Sequence, residues 1–281
     1  MNPQTLLRLC SFAYFDLPEV YMRRLARGEA VPLREVARAL RRLHALGALA
    51  CGAYLEDADG VFAALETSPL YIRAYENDNA ATGFVAYAFA APGETIVAVR
   101  GSEAKGKCAP TSVDWRDNFC APLTGSVQYA AATAFADRFG DGPLLLTGHS
   151  KGGNVALYAQ SAAQTPLARA AVFNAQGFAC HALTRAQKQR LRAGAVDYVV
   201  AGDIVGALLC HPERRFYVQQ VPNTNAHSPD AYAFDENGFP VPARRTWLSR
   251  AAEVLSRLAL ALETLGITNV TRRLLACPDP A

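Results

Sequence analysis

Residues 1 to about 68 read as helical. A helix start is expected at Asp16-Leu17-Pro18, with the aspartate as cap and the proline close to the first turn. A second helix opens near Pro32, where Leu33, Val36, Leu40, Leu43 and Leu46 recur every three or four residues. Gly47 is placed to end it. The pattern then changes to strands. Residues 70–76 and 83–89 are rich in aromatic and β-forming side chains and flank Asn77-Asp78-Asn79, which suggests a hairpin. Thr95-Ile-Val-Ala-Val99, Leu144-Leu-Leu-Thr147, Ala170-Ala-Val-Phe173 and Val196-Asp-Tyr-Val-Val200 are short apolar runs of the kind that form buried strands. Helical patterns lie between them, notably at 126–138 and 152–164, and a short strand at 216–219 precedes a polar loop at 222–230. Such alternation implies one α/β domain with a mainly parallel central sheet flanked by helices. The last periodic segment, Leu248, Ala251, Leu255, Leu258, Leu262 and Leu265, ends at Gly266, and a short helix is expected after it to Ala276. The chain thus divides into a helical region (1–68), a core (69–235) and C-terminal helices (236–281), all within a single domain.

Composition narrows the class. Hydrophobic residues make up 51% and charged residues 19%, a balance that argues against disorder. The formal charge is +3 and no Lys/Arg run exceeds two residues, so no nucleic-acid partner is expected. The seven cysteines are scattered without C-x-x-C or His/Cys ligand spacing. They are read as reduced apolar side chains, with no metal or organic cofactor and a cytoplasmic location. The start Met1-Asn2-Pro3 lacks the basic and apolar regions of a signal peptide.

One motif carries chemistry. Gly148-x-Ser150-x-Gly152 follows an apolar strand and precedes a helix. A serine on a sharp strand-to-helix turn presents its hydroxyl at the strand's C-terminal end, and flanking glycines remove side chains that would strike the neighbouring backbone. The five-residue pattern is loose by itself, and the strand–turn–helix setting gives it weight. Its context also resembles a family. Residues 83–102, through Thr95-Ile-Val-Ala-Val-Arg-Gly-Ser102, resemble the strand pair and Arg-Gly-Ser/Thr turn of class 3 lipases. Gly148-His-Ser-Lys-Gly-Gly-Asn-Val-Ala-Leu-Tyr158 is similar to the version in their bacterial Mbeg-like branch. The resemblance covers roughly residues 65–235 and implies an α/β-hydrolase fold with helical N- and C-terminal additions.

A serine nucleophile needs a base and an orienting acid, which in this fold follow in the order Ser, Asp/Glu, His. Asp203 follows the strand 196–200 and emerges at its C-terminal end, whereas Asp197 sits near the opposite end. The resemblance adds that an acid occurs there in a Gly-Asp-x-Val setting, matched by Gly202-Asp203-Ile204-Val205. His227 lies in the polar loop after the last core strand and is the expected base, with His211 as the runner-up. The backbone N–H of Lys151 is one expected oxyanion donor. Ser102 is the other by resemblance. A lysine in the first turn of a helix opposes the macrodipole by about 0.3–1 kcal/mol, so a carboxylate partner is expected from 113–118, with Asp117 favoured by the family. Residues 103–125 lack periodicity and are the candidate lid, and Trp115 is either an acyl-pocket wall or a core anchor.

The implied function is a serine hydrolase acting on small-molecule or lipid esters with apolar acyl chains. A thioesterase or acyltransferase would use the same triad. A third reading is a non-catalytic protein that keeps the fold and binds a membrane or partner through the C-terminal leucine stripe and its nearby arginines. Such a stripe more often packs on its own core.

Overall fold

The computed structural model describes residues 1–49, 55–102, 117–118, 125–179 and 181–267. Eight strands form one sheet: β1 (Val31–Pro32), β2 (Tyr71–Asp78), β3 (Phe84–Ala91), β4 (Glu94–Val99), β5 (Leu144–Gly148), β6 (Ala168–Phe173), β7 (Ala195–Val200) and β8 (Arg214–Val218). Their order across the sheet is their order along the chain. β1 to β4 pair antiparallel and β4 to β8 pair parallel, so the sheet is mixed, with its parallel half carrying the crossover helices. The helices are α1 (Pro3–Phe12), α2 (Glu19–Ala26), α3 (Leu33–Ala45), α4 (Ala58–Leu65), α5 (Gln128–Asp137), α6 (Lys151–Ala162), α7 (Arg185–Gly194) and α8 (Trp247–Thr264).

Alternation along the strands sorts the core into two layers. Val97, Val99, Leu144, Leu146, Ala170 and Val172 pack with Phe135, Val155 and Leu191 from α5, α6 and α7. Their neighbours Ile96, Ala98, Leu145, Ala171 and Phe173 pack with Leu9, Phe12, Val36, Leu40 and Phe62 from α1, α3 and α4. The cause is topological. Parallel crossovers share one hand, and with strands in sequential order they all fall on the same face. The opposite face is equally apolar and is covered by the N-terminal helices. Phe12 meets Tyr87 edge-on at a centroid distance of 5.2 Å, and Cys10 Sγ lies 3.1 Å from Thr147 Oγ1 on β5.

Local departures from the sequence pattern have specific causes. α2 begins at Glu19 with Pro18 as its cap residue and no side-chain cap bond. Asp16, expected to cap it, instead accepts from Arg100 (3.2 Å), Tyr75 (3.0 Å) and Asn77 (3.1 Å). The Arg100 side chain is fully buried and needs an anion, which outweighs a solvent-exposed cap. β1 is two residues long and α7 is polar on most faces, so neither carries a clear periodicity. α7 is held by a capping box between Thr184 and Gln187. Gly47 and Gly266 end α3 and α8 with φ of 66° and 73°, as their placement suggested.

The uniformly reduced reading of the cysteines is corrected at Cys210, which is disulfide-bonded. Pairing depends on approach in space, which spacing along a chain does not reveal. Cys10 is free and buried, and burial pushes its thiol up to about 12. The expected short helix to Ala276, Trp115, and the candidate lid apart from Asp117, Asn118 and Gly125 lie outside the described residues. Among the described residues no helix is long and apolar enough to cross a membrane.

Phe12→Ala is expected to lower stability to urea by about 3–5 kcal/mol, because α1 would leave a void against β3. Leu46→Ala, on a side chain 78% exposed, should change it by less than about 0.5 kcal/mol.

Candidate active site

β5 runs straight into the turn that holds Ser150, and α6 leaves it. Ser150 has φ 58° and ψ −124°, a conformation that costs a non-glycine residue about 1–3 kcal/mol. The turn survives because both chain ends are fixed. Ser150 N donates to Phe173 O at 3.0 Å, and Ser150 O accepts from Asn154 N at 3.2 Å. A Cβ on Gly148 would lie 2.7 Å from Gly153 N, and one on Gly152 would lie 2.7 Å from the Arg100 carbonyl, so backbone occupies the space on both sides.

The structure brings Ser150, His227 and Asp203 together. His227 Nε2 lies 2.8 Å from Ser150 Oγ. His227 Nδ1 lies 3.1 and 3.2 Å from the two Asp203 oxygens. A carboxylate only accepts, so Nδ1 carries the proton and the Nε2 lone pair faces the serine hydroxyl. Asp203 is buried just beyond β7 and accepts from Val205 N (3.1 Å) and Gly206 N (2.7 Å), which fixes the plane of its carboxylate. His227 keeps 27% of its side chain exposed, so the site opens to solvent at the imidazole. The runner-up, His211, is turned elsewhere. Its Nε2–H donates to Leu208 O at 2.9 Å and its Nδ1 meets Glu213 Oε1 at 2.7 Å.

Several side chains that position the triad were not apparent in the sequence. Asn174, just after β6, has φ 45°, accepts from Val200 N at 2.9 Å and donates to Ala226 O at 3.0 Å. It therefore clamps the loop one residue before His227. Below the elbow, His149 is buried, with Tyr14 OH 3.3 Å from its Nδ1 and the His227 ring at a centroid distance of 5.1 Å. Burial holds the His149 pKa well below 6.5; the nearby His227 adds to this and the His227 backbone opposes it. Tyr14 carries no motif signal, since α1 reaches this point only through the fold.

Lys151 is buried, and its Nζ lies 3.0 Å from Asp117 Oδ2, with each side chain 3% exposed. Asp117 also accepts from Ser126 Oγ and from Val127 N at 3.0 Å. The structure thus supplies an anion for the lysine that opposes the α6 dipole, and it is the residue the family pattern favoured. Ser102 is buried, and its Oγ accepts from Asn118 Nδ2 at 2.7 Å. One group among the described residues has metal-ligand chemistry. Asp197, His211 and Glu213 bring ligand atoms within 4.8 Å of one another. Arg215 Nε lies 3.8 Å from Asp197 Oδ2, and burial pushes the Asp197 carboxyl well above its ordinary range while Arg215 opposes. Arg215 also donates to Gly206 O, so this ionic cluster braces the turn that holds Asp203.

A strand–elbow–helix serine on the parallel half of a mixed sheet, with Asp203 after β7 and His227 in the loop after β8, is the arrangement of the α/β-hydrolase fold. A profile of the Mbeg1-like family matches residues 61–258, more than half of the chain, and the chain belongs to that family. No curated protein matches the sequence. Among solved structures it is similar to the mono- and diacylglycerol lipase of Aspergillus oryzae, with 14% identity and a TM-score of 0.48, covering 84% of this chain and 90% of that one. The Lip2 lipase of Yarrowia lipolytica is 10% identical with a TM-score of 0.42, covering 91% and 90%. A lipase of Rhizopus microsporus var. chinensis is 11% identical with a TM-score of 0.38, covering 86% and 87%.

Lys151→Met should cost about 3–5 kcal/mol in urea unfolding by leaving Asp117 as a buried, unpaired charge. Adding Asp117→Asn should restore a large part of that loss. A histidine held neutral by burial takes up its proton only in the unfolded chain. His149 therefore contributes stability above pH 6.5, and that contribution is lost as pH falls below 6.5, by up to about 1.4 kcal/mol per unit. The stability of wild type relative to His149→Asn should accordingly shrink between pH 7.5 and pH 5.

Proposed function

We propose that the chain is a serine hydrolase that cleaves carboxylic esters with apolar acyl chains. The observation that carries the reading is the unbroken contact from Asp203 through His227 to Ser150, at 3.1 and 2.8 Å. His227 Nε2 takes the hydroxyl proton as Ser150 Oγ attacks the ester carbonyl, and Asp203 steadies the imidazolium that forms. The developing oxyanion is held by the backbone N–H of Lys151 and by Ser102, whose hydroxyl is positioned by Asn118. The imidazolium then gives its proton to the departing alcohol, leaving an acyl-Ser150 ester. Water, deprotonated by the same histidine, adds to that ester, and the acid is released with Ser150 reprotonated. The preference for apolar acyl chains is supported by the family resemblance of residues 83–102 and 148–158, and by Ile204, 45% exposed beside Asp203.

A fluorophosphonate probe should add one phosphonyl group at Ser150, read by peptide mass spectrometry, and should fail on Ser150→Ala. The same substitution should reduce turnover of p-nitrophenyl esters by about ten-thousand-fold or more. Labelling at another residue, or turnover that survives Ser150→Ala, would sink the proposal.

A further inference from the structure

α8 is mounted inside out. Helices of soluble domains usually turn their apolar side to the core. Here the side facing the protein is mainly polar, with Ala252 and Leu260 half-buried among its polar residues. Ser249 and Glu263 are buried, Ser256 Oγ accepts from Leu209 N at 2.9 Å, and Glu253 pairs with Arg245 (2.5 Å) and Arg257 (2.7 Å). The opposite side is apolar and open. Trp247 is 79% exposed, Val254 64%, Leu255 63%, Leu258 54% and Leu265 73%. At about 100° per residue, Trp247, Val254, Leu258, Ala261 and Leu265 fall in a stripe only about 60° wide, with Leu248, Leu255 and Leu262 along one margin. This reverses the expectation that the leucine stripe packs on the protein's own core.

The charge around the stripe is of one sign. Both acids of α8, Glu253 and Glu263, are on the inner side, where Glu253 matches the charge of Arg257, while Arg250 borders the stripe and Arg244 precedes it, both exposed. The helix is also fixed to the segment that carries Asp203. Thr246 donates to Ala201 O at 3.0 Å, and Arg257 donates to Leu209 O at 3.1 Å. Exposed Ile204 belongs to that same segment.

We propose that α8 is a docking face for an anionic lipid surface. Its apolar stripe enters the acyl boundary, Trp247 anchors at headgroup level, and Arg244 and Arg250 meet lipid phosphates and carboxylates. The rigid attachment to residues 201–209 then sets the triad next to the bilayer. Binding of this kind does not depend on the ester chemistry proposed above, so the two readings can fail separately.

The test uses full-length Ser150→Ala, which leaves vesicle lipids intact. Flotation is measured with vesicles of phosphatidylcholine alone and of phosphatidylcholine mixed with phosphatidylserine. The protein should float with the mixed vesicles and only weakly with the neutral ones. Adding Leu255→Glu and Leu258→Glu should weaken partitioning by about tenfold or more, and Arg250→Glu should weaken it on the mixed vesicles alone. These positions are exposed, so the thermal midpoint of each variant should match the parent and rule out misfolding as the cause. Two results would overturn the proposal. One is equal flotation of parent and Leu255→Glu/Leu258→Glu. The other is absence of flotation with the mixed vesicles; a dimer in sedimentation velocity that the same pair of substitutions dissociates would then assign the stripe to a second copy of the chain.

Discussion

The backbone of Ser150 is held where a side-chain-bearing residue does not rest by choice, and much of the surrounding packing keeps it there. The turn is pinned by Phe173 O on one side and by the first turn of α6 on the other. The neighbouring backbone comes so close that only glycine fits at 148 and 152. Strain of about 1–3 kcal/mol persists only in a frame that over-determines it. That frame consists of β5 at the centre of the sheet and an apolar layer on each of its faces. What the strain achieves is a hydroxyl lifted clear of the sheet edge, where His227 can reach it.

The frame extends beyond the segment that carries the motifs. α1 lies under β5, where Cys10 meets Thr147 and Tyr14 meets His149. Asp16 reaches the buried Arg100 guanidinium next to Gly101 and Ser102. The N-terminal helices therefore fill one half of the core and also support the elbow and the turn after β4 from beneath. On the other side, Asn174 and Arg215 hold the His227 loop and the Asp203 turn. Asp203 and His227 are thus positioned by separate clamps, and Ser150 by a third.

The strands and the elbow could be read from the sequence because they depend on local pattern. Runs such as Thr95–Val99 and Leu144–Thr147 are short, apolar and bounded by turn residues. Ser150, Asp203 and His227 could be ordered because the fold imposes a chain order on their roles. A carboxylate partner for Lys151 could be anticipated because a cation at a helix N-terminus calls for an anion, and the family resemblance pointed to Asp117 among the candidates. Contacts that depend on the third dimension alone were hidden. Tyr14, Asp16, Asn174 and the Asp197–His211–Glu213 cluster carry no spacing that marks them. The direction of α8 was hidden for a related reason, since periodicity shows that a helix has an apolar side but not where that side points.

The two-layered core has a bearing on where this protein can be divided. The profile match begins at residue 61, just inside α4, and leaves α1, α2 and α3 outside. Yet Tyr87, Phe89, Leu145 and Phe173 have those helices as neighbours. A fragment started at the profile's edge would present a broad greasy plane to water and would tend to clump rather than refold. The stretch that the family profile recognises is therefore shorter than the stretch needed to cover the core, and an expression clone should carry α1 to α3 along.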